Sequence, residues 1–514
     1  MLDQLLYVPI AAILYSYIAG WIREWRYRQS ALKHDCALPS YLEYRPLGIP
    51  MAIRTVKAHW KNELIQLLNK IVDDSGKETF RAQTLGLLGY NAFYSSNPEN
   101  IRAVLTTKFD DYSYGLRHDV FHPLLGDGIF TVSGSRWHQQ RALLKPQFNH
   151  SQVYELDHFK HACTQLLELM RIYSQRGYFD MQDLAFKFTL DTTTLFLFGE
   201  STGCLDDEMK RLHENGQDQA GKTCLFAEDF NKAQLWMTYR MMAQSFYWMV
   251  QGREFRGSVK RCQTYVDHYV SKALVKREKQ QEEQQQQPRQ SLLDELTKRT
   301  RDPRALRDQV LNLLLAGRDT TASLISLVIA LLVRHQDIQR KLREAVIESM
   351  GVNEENISHN QLKRCKYLQN VINETLRLYP VVPMNGRQVA RDTVLPRGGG
   401  EDETLPIFLP KGAQFAYSIS QLHRNQSYWG DDAAEFRPER WVNHGPKHSW
   451  TFLPFSGGPR ACLGQRYALT EASYAIARIM QQFKELKGAP PGGPIKLHLS
   501  LTTRVAGGVS VQAS

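Results

Sequence analysis

The sequence predicts a mainly α-helical protein with a small β portion: one large domain over residues 51–514 behind an N-terminal transmembrane helix. Three observations carry this. Apolar residues recur at helical spacing over most of the chain, as in Lys61–Val72 and Gln339–Met350. Strand-like runs are short and flank the turn-rich Pro396-Arg397-Gly398-Gly399-Gly400. A chain of 514 residues with 42% apolar content can bury one big core, and no internal repeat divides it.

From Leu5 to Ile22 the chain is uncharged, with aromatics near both ends, which is long enough for one membrane span. A cleaved signal peptide carries positive charge before its apolar stretch, but here Asp3 precedes and Arg23, Arg26, Arg28 and Lys33 follow. The charge bias puts the N-terminus outside and the domain in the cytosol. Residues 1–22 thus read as an anchor, and residues 23–50 as a basic connector stiffened by Pro39, Pro46 and Pro50. The low-complexity run from Lys276 to Gln290 reads as a solvated helix end and surface loop. Asp302-Pro303 starts a long apolar helix over about Leu306–Val333, with an N-cap followed by proline at the first turn. Asn312, Arg318 and Asp319 make that helix a buried core element rather than a second span. A further helix runs from Gln361 to Tyr379 and stops at Pro380.

The balance of 64 Lys+Arg against 53 Asp+Glu leaves +11, which favours acidic partners or an anionic membrane surface. Nucleic acid is not among the expected partners, because basic runs with interleaved aromatics, zinc-type spacings and RNA-binding signatures are all missing. Seven cysteines at irregular spacing, with no C-x-x-C pair, argue against a disulfide framework and fit a reducing compartment. By default each is a small buried hydrophobe.

Four constellations stand out from that background. Cys462 sits in Phe455-Ser456-Gly457-Gly458-Pro459-Arg460-Ala461-Cys462-Leu463-Gly464, where Gly458 and Gly464 permit tight turns and close approach to a planar cofactor. Arg460 can hold an anionic substituent of that cofactor, and Phe455 can pack under its ring. In the long helix, Ala316-Gly317-Arg318-Asp319-Thr320-Thr321 contains an interior glycine, which implies that something approaches the helix closely there, and a dioxygen-sized ligand would suit. Glu374 and Arg377 share a helix face, as do Trp137 and Arg141. Taken alone, the last two are also compatible with a surface ion pair and a half-buried tryptophan.

In their order along the chain, from Trp137 through Ala316 and Glu374 to Cys462, the four constellations resemble the cytochrome P-450 family, whose loop F-x-x-G-x-R-x-C-x-G is matched at Phe455, Gly458, Arg460, Cys462 and Gly464. The resemblance implies a haem-thiolate monooxygenase fold with Cys462 as axial iron ligand. It also implies that the Asp319-Thr320 pair delivers protons for dioxygen activation. Trp137 and Arg141 are implied to contact the haem propionates. Arg440, in Phe436-Arg437-Pro438-Glu439-Arg440-Trp441, would complete a buried Glu374-Arg377-Arg440 network, with Trp441 where phenylalanine is common. Ala316 stands where some animal fatty-acid hydroxylases carry a haem-linked glutamate, so the haem b is expected to be non-covalent apart from the sulfur–iron bond.

The stretches Pro123–Phe130, Leu315–Ala322 and Asp392–Gly400, with the continuation of the cysteine loop to Ala472, look like the fungal alkane and fatty-acid hydroxylase branch. That implies hydroxylation at terminal or near-terminal positions with dioxygen and electrons from an NADPH-dependent reductase, on the cytosolic side of the endoplasmic reticulum membrane. Tailoring of a polyketide, terpenoid or other secondary metabolite is the alternative. Val381, Val382 and Met384 are expected along the pocket. Arg117 is expected as a solvated surface charge in preference to a clamp for a fatty-acid carboxylate.

Overall fold

A computed structural model describes residues 2–42, 49–83, 91–148, 156–213, 222–283, 291–352, 357–443, 448–490 and 494–514. Helices dominate, and the long central one spans Pro303–Leu332 with the Asp302 side chain capping the Arg304 amide. It is apolar enough to cross a membrane, yet most of its length is buried inside the domain. Its closest partner is the Met181–Phe198 helix, and it also packs on Lys366–Leu378 and Gln465–Gln482.

The principal sheet has six strands in the order Ser40–Leu42, Thr79–Gln83, Asn91–Ser95, Gln414–Ser418, Met384–Val389 and Tyr112–Ser113. Two of its pairings are parallel and three antiparallel. It encloses a smaller core of its own beside the helical one.

Several boundaries differ from the sequence reading for local reasons. Helical spacing through Lys61–Val72 is interrupted at Asn62, whose left-handed φ of 56° separates Ile49–Trp60 from Leu64–Ser75. The Gln361–Tyr379 segment is two helices, His359–Arg364 and Lys366–Leu378, broken at Cys365. Pro396, Arg397, Gly398 and Gly399 lie within the strand Thr393–Gly399, not in a turn. A register irregularity between Leu395 and Gly399 takes up the proline, which has no amide to give the ladder. Of the low-complexity run, residues up to Glu283 continue the helix that starts at Arg253, and 284–290 lie outside the described residues.

The first helix does not end at residue 22. It runs Leu2–Lys33, and its last turns pack on the sheet: Tyr27, Ala31 and the following Cys36 are buried there, and Glu24 pairs with buried Arg81 at 2.6 Å. The stretch expected as a connector is therefore partly integral to the domain, while Pro46 lies outside the described residues.

Candidate active site

The cysteine loop is shaped by backbone bonds. The Cys462 amide donates to the Phe455 carbonyl at 3.0 Å and the Ala461 amide to Gly458 at 3.0 Å, after which the chain enters the Gln465–Gln482 helix. Gly458 has φ +68°, and a Cβ there would lie 1.9 Å from the Leu105 carbonyl oxygen. The tight turn is as expected, and the backbone of Leu105 lies close against it. Gly464 has an ordinary φ of −87° and only a van der Waals neighbour in Phe148.

Among the cysteines whose side chains are described, Cys36, Cys163, Cys204, Cys262 and Cys365 are buried, and Cys462 alone is exposed. Its exposure is to an internal cavity, since Cys462 lines the same cavity as Ala316, Gly317 and Thr320 of the central helix. Burial pushes the thiol up, opposed by the Gly464 amide and the charge of Arg141. A metal that replaces the proton reverses that balance.

At one end of the cavity four guanidinium groups gather: Arg117, Arg141, Arg387 and Arg460. Arg460 lies 4.3 Å from the Trp137 ring and 4.1 Å from Tyr114, and Arg117 lies 4.1 Å from Tyr114. Arg141 donates to the Ala461 carbonyl at 3.0 Å, and Arg117 to Asn385 Oδ1 at 2.6 Å. Among the described residues none of the four has a carboxylate partner, and Arg460 Nη1 is buried without any acceptor. Burial opposes ionisation of Tyr114, yet Arg387, Arg117 and Arg460 pull its phenol down to about 8. This uncompensated positive potential beside a cysteine-lined cavity fits haem, a flat group with two propionates.

Arg117 is thus not a solvated surface charge. Arg387 and Tyr114 escaped the sequence reading because they reach this end of the cavity only when the sheet edge pairs Tyr112 with Val389. Val381 and Val382 line the cavity as expected, whereas Met384 is not among the lining residues.

On the central helix, Thr320 faces the cavity and donates to the Ala316 carbonyl at 2.6 Å. Asp319 does not share that face. It is buried and bonded to Arg318 Nη1 at 3.0 Å, with burial raising its pKa against the charges of Arg318 and Arg504. The close approach at Gly317 is made by Thr193 of the Met181–Phe198 helix, whose Oγ1 would sit 2.8 Å from a Cβ. The glycine therefore serves helix packing as well as lining the cavity. Behind the neighbouring Thr321 lies Glu471, fully buried and bonded by Thr192, its carboxyl pushed up to about 8 by burial. Nothing in its own sequence window distinguishes it from an exposed helix glutamate.

The Glu374-Arg377-Arg440 network is fully formed. Arg377 grips Glu374 through Nε and Nη2, both at 2.8 Å, with both side chains fully buried. The same carboxylate accepts from Arg440 Nε at 3.3 Å and from the Arg437 amide at 3.0 Å. Trp441 adds a donor that phenylalanine lacks, its indole N–H reaching Glu374 Oε2 at 2.9 Å. Trp441→Phe keeps the ring against Phe452, 4.7 Å away, and is expected to lower stability by about 1.5–3 kcal/mol, the scale of a hydrogen bond to a charged group. Chemical denaturation checks this.

A histidine carries the network to the cysteine loop. Arg377 Nη1 donates to the His423 carbonyl at 3.0 Å, and His423 Nε2 accepts from the Leu453 amide, where the loop begins, at 2.8 Å. Burial pushes this imidazole down to about 3, so it stays neutral and its lone pair remains available.

Comparison with known proteins agrees with this geometry. The family model described as Cytochrome P-450 matches residues 57–498. The chain is 42% identical to cytochrome P-450 52A12 of Debaryomyces hansenii over 459 residues, 88% of this chain and 87% of that protein. It is 42% identical to cytochrome P-450 52A3-A of Candida maltosa over 487 residues, 94% and 92% of the two chains, and 46% identical to cytochrome P-450 52A8 of Candida tropicalis over 405 residues, 76% of each. With the cysteine loop, the four gathered guanidinium groups and the buried Glu-Arg-Arg network in place, the chain belongs to the cytochrome P-450 family, the haem-thiolate monooxygenases whose cofactor is haem b.

Proposed function

We propose that this enzyme hydroxylates terminal or near-terminal C–H bonds of n-alkanes or fatty acids, with Cys462 as the axial ligand of its haem. The observation that carries the ligand assignment is the position of Cys462: alone among the cysteines whose side chains are described, it opens on the cavity that Thr320 also lines. When bound, haem with a thiolate ligand supplies reductive activation of dioxygen.

The chain's own residues do the rest. Arg117, Arg141, Arg387 and Arg460, with Trp137, would hold the haem propionates and so orient the group toward Cys462. This use of Arg117 leaves no reason to assign it to a fatty-acid carboxylate. Thr320 presents a hydroxyl to the cavity, and Asp319, buried beside Arg318 with its carboxyl pKa raised by burial, holds and passes on the protons that the reaction consumes. Phe196, Leu313, Val381 and Val382 give the cavity walls that exclude water and favour an alkyl chain. Glu374, Arg377 and Arg440 keep the cysteine loop in place through His423.

The electrons come from an NADPH-dependent reductase, for which the cationic surplus of the chain gives an acidic partner a docking field. Exposed Leu14, Tyr15, Ile18, Trp21, Ile22 and Trp25 on the first helix support a single-pass anchor in the endoplasmic reticulum membrane with the domain in the cytosol.

The test is spectral titration of the haem-loaded enzyme with straight-chain alkanes, fatty acids and bulkier polyketide-like molecules. Straight chains are expected to shift the spin state at micromolar levels, with ω-hydroxylated product after reconstitution with reductase. Response to the bulky molecules alone would overturn the substrate assignment.

A further inference from the structure

We propose that His118, His122 and Asp127 form a binding site for a divalent transition-metal cation of the zinc type, outside the cavity and separate from the haem. His118 and His122 lie four residues apart on the Arg117–Leu125 helix, so both imidazoles project from one face, with ring centroids 5.0 Å apart. Asp127 follows in the turn after that helix, and one ligand atom from each of the three residues lies within 4.8 Å of the others. Tetrahedral zinc with bonds of about 2.0–2.1 Å places its ligands about 3.4 Å apart, a gap that rotation of the exposed His122 closes. Two imidazoles and a carboxylate are the donor set of a three-ligand zinc site that leaves a position for water, whereas calcium and magnesium require oxygen donors throughout.

Two further features support a site over a chance cluster. Asp119 Oδ1 lies 3.1 Å from His118 Nδ1, the outer carboxylate that orients a ligating imidazole and leaves Nε2 for the metal. Asp127 is held rigidly, because its amide donates to Asp308 Oδ2 of the central helix at 2.9 Å and the glycines on either side fit against that helix. A Cβ at Gly126 would come within 2.0 Å of Asp308, and one at Gly128 within 1.9 Å of Asn312.

Without metal, His118 Nε2 lies 2.9 Å from Asp127 Oδ1, and Arg136 pairs with the other carboxylate oxygen. Metal uptake therefore displaces the Nε2 proton to solvent and competes with Arg136 for Asp127, so affinity falls as pH falls. Occupancy ties the helix whose first residue, Arg117, lines the cavity to a turn anchored on the central helix.

The experiment is calorimetric titration of untagged, haem-loaded full-length enzyme with zinc chloride in two buffers of different ionisation enthalpy. Wild type should show a one-to-one site with proton release. His122→Ala should abolish it, Asp119→Asn should weaken it roughly 10-fold or more, and Arg136→Ala should tighten it. His122 is exposed and takes no part in the His118–Asp127 contact, so its loss tests the metal site alone. Identical isotherms for wild type and His122→Ala would overturn the proposal and leave only a histidine–aspartate ion pair.

Discussion

Cys462→Ser is expected to abolish the red-shifted Soret band of the reduced carbon-monoxide complex and to bring hydroxylation to background. The substitution removes the sulfur while leaving what shapes the loop. The bond from residue 462 to Phe455 is made by backbone, and the Gly458 turn is set by its own φ and by Leu105. The four guanidinium groups proposed to hold the propionates are also untouched, so haem should still be taken up, with a spectrum of oxygen or nitrogen ligation. The other five cysteines whose side chains are described cannot substitute, because they are buried away from the cavity. A variant that keeps the thiolate-type band would sink the ligand assignment.

Glu374→Gln should be the most destabilising conservative change in the domain. The carboxylate is fully buried and receives two bonds from Arg377 and one each from Arg440, the Arg437 amide and Trp441. An amide of the same shape sets N–H against N–H on one side and leaves Arg377 without its counter-charge. Removing one member of a buried pair costs about 3–5 kcal/mol, because the remaining charge stays desolvated. Haem retention should fall in parallel, since Arg377 also holds His423, and His423 the start of the cysteine loop. Equilibrium unfolding measures the first effect and haem loss to apomyoglobin the second. A loss below about 1 kcal/mol, the scale of an exposed ion pair, would refute the argument.

The site was legible in the sequence where its chemistry fits within a few residues. Phe455 to Cys462, Glu374 with Arg377 and Trp137 with Arg141 each occupy one turn or loop, so spacing alone brings them together. Residues that meet only through the tertiary fold were not legible. Arg387 and Tyr114 converge at a sheet edge, His423 bridges segments 30 and 46 residues away, and Glu471 looks like any helix glutamate until its burial is known. The glycines show an intermediate case. The need for small residues at 317 and 458 could be inferred, but the neighbours that impose it, Thr193 and Leu105, could not. Asp319 and Thr320 are adjacent in the chain, yet successive helix residues point about 100° apart, and the structure turns them to different surroundings. Breaks at Asn62 and Cys365 left the apolar periodicity intact on both sides and so escaped it.

The first helix has a mechanical consequence. Because Leu2–Lys33 is one helix whose last turns are fixed by Tyr27, Ala31 and the Glu24–Arg81 pair, it runs without a break from the exposed Leu14, Tyr15, Ile18 and Trp21 to the sheet. A force that tilts the front half acts as torque on the strand Thr79–Gln83, which carries Arg81, and through the neighbouring strands on Met384–Val389, which carries Arg387. The helix is a lever arm with its fulcrum on the domain, so a tilt of that arm would be passed along these strands toward the cavity.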